Sequence, residues 1–133
     1  MFLTKPVGIS YYAHNWAKNV PFILMHVACL SALFVEFSWQ VGLLCVGNYF
    51  LRMFGITAGY HRYFSHRAYK TSRWFQFVLA WLGCSALQKG PLWWASHHRV
   101  HHKHSDTPAD PHSMKLYGFW YSHIGWIMGP DYK

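Results

Sequence analysis

Acidic residues are nearly missing from this chain. Glu36, Asp106, Asp110 and Asp131 are the only four among 133 residues, against twelve Lys and Arg. That scarcity excludes whole classes of chemistry. A soluble di-iron carboxylate bundle needs several inward Glu residues and Glu-x-x-His pairs. A zinc hydrolase of the HExxH kind needs a Glu beside its first His. Neither pattern occurs here. Cysteine is as sparse: Cys29, Cys45 and Cys84 lie inside apolar runs with no CxxC pair. This excludes a disulfide framework or thiolate zinc site and leaves the three as small buried hydrophobes. Charge of either sign reaches only 12%, about half of the roughly 25% usual in soluble globular domains. A net charge of +8 invites a nucleic-acid reading, but the cations are scattered around apolar runs and form no basic stripe. No nucleic-acid partner is expected. The first nineteen residues lack a short apolar core with a cleavage site, so no removable signal peptide is expected. Repeats and low-complexity linkers are also missing, and 133 residues make one domain or a piece of one.

What the chain has in quantity is apolar and aromatic side chains, 53% and 20% of its residues. Two runs dominate: "VPFILMHVACLSALFVEF" over 20–37 and "WQVGLLCVGNYFLRMFGITAGY" over 39–60. A bilayer core of ~30 Å takes ~20 mostly apolar helical residues, so both are long enough to span. Neither run shows a polar stripe at helical period, as a soluble surface helix would. Asn19 suits an N-cap and Pro21 a first helical turn. His26 reads as an interior histidine satisfied by a neighbour. The short link around Glu36–Gln40 predicts a tight transmembrane hairpin. Lys5 and Lys18 before it, and Arg62, Arg67, Lys70 and Arg73 after it, put both outer ends on the cytoplasmic side. The next apolar segment, Trp74–Gln88, is short for a span and suits an interfacial or re-entrant helix. The expected fold is all-α and integral to the membrane: a helical hairpin followed by cytoplasmic or interfacial helices.

Those following helices carry histidine. Six of the seventeen residues in "HHRVHHKHSDTPADPHS", His97–Ser113, are His. In "HRVHH", His98, His101 and His102 stand at i, i+3 and i+4, one face of a helix. Such a cluster of imidazoles is costly unless a metal or shared protons bind it together. His97, His101 and His104 offer a rival face at i, i+4 and i+7. Adjacent His101 and His102 in the first arrangement can serve two neighbouring metals. Upstream, "HRYFSH" places His61 and His66 five apart at the exit of the second run. On a regular α-helix five residues turn through ~500°, about 140° off one face. The two rings converge only if the helix ends or distorts between them. Imidazole suits zinc, copper, iron and nickel alike.

Together, "GITAGYHRYFSHRAYKTS", "WWASHHRVHHKHSDTPADPHS" and "YSHIGWIMG" resemble the integral-membrane fatty acid desaturases, of the acyl-CoA delta-9 (stearoyl-CoA) type and its bacterial relatives. The resemblance runs from about Trp39 to Met128 and makes 1–133 a partial desaturase domain. It implies two iron ions, with His61, His66, His98, His101 and His102 as ligands from boxes 61–66 and 98–102. It puts Gln88 near the acyl tunnel, and Asp106, Asp110, His112 and His123 as supports behind the ligands; as turn residues of "SDTPADP", the two Asp have a second reading. The family's third box, a later HxxHH, is not in these residues, which look like an amino-terminal half. The activity implied is insertion of a double bond into a fatty acyl-CoA or acyl-lipid chain. It consumes O2 and two electrons from a donor such as cytochrome b5 or ferredoxin. Arg99, Lys103 and Lys115 are available for a phosphate of CoA or a headgroup, or as plain solvated charge. Alternatives are an inactive truncated desaturase, a related membrane hydroxylase, and a histidine-rich membrane protein that only binds metal.

Overall fold

A computed structural model of the chain describes residues 16–129, and every regular element among them is helical. In chain order these are α1 (Trp16–Cys29) with a 3-10 extension (Leu30–Phe34), α2 (Trp39–Phe54), a π-helix (Gly55–Ser65), α3 (Arg73–Ser85), α4 (Pro91–His104), α5 (Met114–Tyr117), a second π-turn (Tyr121–Gly125) and α6 (Trp126–Met128). They fall into two units, Met1–Glu36 with His104–Lys133, and Phe37–Lys103. Lys5, counted above among the flanking cations, lies outside the described residues, as does most of the segment searched for a leader.

In the first unit, Trp16–Phe34 is 19 residues long and apolar enough to cross a membrane. The helix includes Asn19 and Pro21 in its interior, so Asn19 is not its cap. The reason is tertiary: Asn19 is buried, and its side-chain amide donates 2.9 Å to the Met128 carbonyl. His26 is satisfied by its own helix, donating from Nδ1 to the Phe22 carbonyl at 2.8 Å.

In the second unit, the Ser38 hydroxyl accepts from the Val41 N–H at 3.3 Å and caps α2. With no break, α2 continues into the π-helix, making 27 residues from Trp39 to Ser65 that are long and apolar enough to span. Ser72 caps α3 in the same way, accepting from the Phe75 N–H at 3.2 Å. The π-helix and α3 approach backbone to backbone. A Cβ on Gly55 would stand 2.7 Å from the Gly83 nitrogen, and one on Gly59 3.1 Å from the Leu79 carbonyl oxygen. Small residues four apart permit this contact, as they do between membrane helices. The space left by Gly83 is filled by the ring of Tyr60, which is 0% exposed. Its hydroxyl donates to the Lys89 carbonyl at 2.8 Å, with Cys84 Sγ 3.1 Å away. The cysteines correct an expectation: Cys29, Cys45 and Cys84 are all exposed. An apolar run that faces outward leaves its small residues outside too.

Candidate metal centre

The π-helix resolves the awkward spacing of His61 and His66. Between them the backbone widens, and the His66 N–H bonds the His61 carbonyl five residues back at 3.1 Å. In that winding, residues five apart stack nearly one above the other, as residues four apart do on an α-helix. The Ser65 hydroxyl donates to the Tyr60 carbonyl at 2.7 Å and supports the widened turn. The two imidazoles end with ring centroids 4.6 Å apart.

On α4, His98 and His102 are one turn apart and 4.5 Å between centroids. They face the π-helix: His61 lies 4.6 Å from His98, His66 lies 4.9 Å from His102, and His66 Nε2 is 3.1 Å from His98 Nε2. Ligand atoms of His61, His66, His98 and His102 all lie within 4.8 Å of one another. Arg99 fastens the arrangement, donating 3.3 Å to the Phe64 carbonyl at the end of the π-helix. Burial pushes the His98 imidazole from its ordinary 6.5 down to about 4, and the charges on His61, His102, His66 and His101 push the same way. His98 is therefore neutral at physiological pH, the form that binds metal.

The group fits a metal ion. Two nitrogens bound at ~2.1 Å and at right angles are about 3.0 Å apart, and opposite ones about 4.2 Å. The 3.1 Å pair matches the first figure, and the 4.8 Å limit on the whole group leaves room for the second. Two facing imidazole nitrogens share only one proton as a hydrogen bond, whereas a cation satisfies both lone pairs.

Other predicted residues are placed as follows. His101 stands outside the group of four, 6.4 Å by ring centroid from His98 and 5.8 Å from His102. Gln88 accepts from the Trp94 indole N–H at 3.1 Å. Asp110 is 1% exposed, and its carboxylate accepts from the backbone N–H groups of Asp106 and His112 at 3.0 and 3.1 Å. The Ser113 hydroxyl donates to Asp106 at 2.8 Å. Both carboxylates therefore hold the turn that follows α4. His112 packs on Trp126 at 4.7 Å and His123 stacks on Phe119 at 5.4 Å. Sequence reasoning missed Trp94, whose ring lies on His98, with centroids 4.8 Å apart and planes 23° from parallel. Its spacing four before His98 was the available signal.

The family model for fatty acid desaturase matches residues 37–132. The chain belongs to the fatty acid desaturase family. It is similar to an sn-1 stearoyl-lipid 9-desaturase of Anabaena variabilis, 40% identical over 86% of this chain. An acyl-CoA 5-desaturase of Anemone leveillei is 45% identical over 81% of it. A chloroplastic palmitoyl-monogalactosyldiacylglycerol delta-7 desaturase of Arabidopsis thaliana is 41% identical over 96%. The chain spans 42%, 33% and 35% of the length of these three relatives, respectively. No solved structure matches it. The four gathered histidines lie within the residues that the family model matches.

Proposed function

We propose that this desaturase chain holds one iron between His61, His66, His98 and His102, turns His101 toward a second, and serves O2-dependent double-bond formation in a fatty acyl chain at the cytoplasmic face of a membrane. The observation that carries this reading is the gathering of four imidazoles from two separate segments within 4.8 Å. Iron, when bound, supplies the oxidation of two adjacent methylenes that no side chain can perform, with O2 as oxidant and two electrons from a carrier such as cytochrome b5 or ferredoxin.

The chain's own residues set the geometry. The π-helix offers two imidazoles and α4 two more; Arg99 ties α4 to the π-helix, and Tyr60 ties the π-helix to Lys89, just before α4. Remaining ligands for the second iron would come from residues outside this chain. Gln88 lines the path of the acyl chain, and Asp106, Asp110, His112 and His123 support the centre at one remove by fixing the segment after α4. The relatives' names differ in carrier, CoA in one and lipid in two. What they share is the acyl chain, and that is the substrate class we assign.

The membrane placement rests on exposure and charge. Leu33, Phe34 and Leu43 are 80%, 89% and 72% exposed on the two long helices, a cost in water that lipid removes. Lys18 in the first turn of the first span and Arg62, Arg67, Lys70 and Arg73 around the end of the second support a cytoplasmic side for both ends by the positive-inside rule. The Glu36–Gln40 link between the spans would then face outward.

Anaerobic loading of the detergent-purified chain with Fe(II), followed by metal counting, tests the reading. One tightly held iron per chain is expected. Two tight irons would refute the one-centre assignment, and retention of zinc with exclusion of iron would refute the desaturase chemistry.

A further inference from the structure

Resting on the metal centre proposed above, we propose that Trp94 is a positioning residue for the iron ligand His98, held in place by Gln88. Trp94 lies one turn before His98 on α4, and its indole covers the His98 ring at 4.8 Å and 23°. The same indole meets His61 edge-on, with centroids 6.4 Å apart and planes at 85°. One side chain thus touches a ligand from each of the two segments. Its free rotation is blocked at the far end, where the indole N–H donates 3.1 Å to Gln88 Oε1.

Gln88 is itself fixed. It stands between Leu87 and Lys89, both non-glycine residues in left-handed backbone, at φ 58° and 69°. Two departures of that kind flanking one residue persist only where the surroundings impose them. The imposing contact is the Tyr60 hydroxyl on the Lys89 carbonyl at 2.8 Å, and Tyr60 directly precedes His61. The contacts close a ring: His61, Tyr60, Lys89, Gln88, Trp94, His98. A shift of the π-helix against α4 therefore moves the indole and the ligand ring together. Groups that orient a metal-bound imidazole govern affinity nearly as the ligands do, by 10–100-fold in typical cases.

The test uses the full 133-residue chain in detergent, with Co(II) as the metal probe because its visible bands report ligand geometry. Trp94→Leu should weaken Co(II) binding by ~10-fold and shift the visible bands. Gln88→Leu should weaken it several-fold, and Gln88→Glu, which keeps an acceptor for the indole, should restore the wild-type spectrum. Circular dichroism melts run beside each titration. Should Trp94→Leu fail to fold, Trp94→Phe keeps an aromatic ring beside His98 and removes the N–H donor, and should weaken binding at least as much as Gln88→Leu. Wild-type affinity and bands in Trp94→Leu, or in both Trp94→Phe and Gln88→Leu, would overturn the inference and leave the metal centre standing. A wild-type chain that binds no Co(II) would overturn both.

Discussion

At the scale of single residues, the four histidines differ in what each brings. His66 and His98 face each other nitrogen to nitrogen at 3.1 Å, so removing either would take one donor from the proposed metal. His66→Ala should lower Fe(II) or Co(II) affinity by more than 10-fold, whereas His101→Ala, outside the group, should leave the first metal's affinity within about 2-fold; isothermal titration of both variants checks this. His98 also makes a pH signature. Its folded value of about 4 lies below the ordinary 6.5, because burial and four neighbouring imidazoles disfavour the cation. The unfolded chain therefore takes up a proton first as pH falls. The metal-free fold loses stability from about pH 6.5 down to about 4 and gains nothing further above that window. Unfolding midpoints of the metal-free chain against pH should show this slope, and His98→Gln should flatten it.

Among the elements, the π-helix does what an α-helix cannot. Five-residue spacing scatters two side chains on α geometry and gathers them on π geometry, and the 3.1 Å bond from His66 N–H to the His61 carbonyl is the local sign of that winding. The winding is backed by the close approach of α3. Gly83 leaves room for the Tyr60 ring, and a methyl there would overlap it. Gly83→Ala should destabilise the unit by about 1–3 kcal/mol, the usual cost of overpacking, and should weaken metal binding as Tyr60 drags His61 with it. Gly47→Ala, with nothing within 4 Å of the added methyl, is the control and should lower neither thermal midpoint nor affinity, since Ala is the better helix former.

Across the whole molecule, the few acids and the outward apolar faces point one way. The two long helices, 19 and 27 residues, are long and apolar enough to cross a membrane and turn most of their apolar side chains outward, a surface that lipid would cover. The chain should therefore stay with the membrane after carbonate extraction. A single cysteine introduced at Arg67, in a background without Cys29, Cys45 and Cys84, should react with a membrane-impermeant reagent only from the cytoplasmic side. Labelling from the opposite face would overturn the proposed topology.

The sequence by itself determined the helical class, the two apolar runs and the family, because hydropathy and histidine spacing are local properties that survive without a fold. Through the boxes HRYFSH and HRVHH the resemblance named five histidines, His61, His66, His98, His101 and His102, and four of these gather. Only the tertiary structure decided that the helix between His61 and His66 widens, because that winding depends on Gly55, Gly59 and Tyr60 packing on α3. It alone separated His101 from the other four, put Asn19 inside a helix against Met128, and turned the cysteines outward. Those outcomes depend on which surfaces meet, and residue type and spacing along one strand of text hold no record of the meeting.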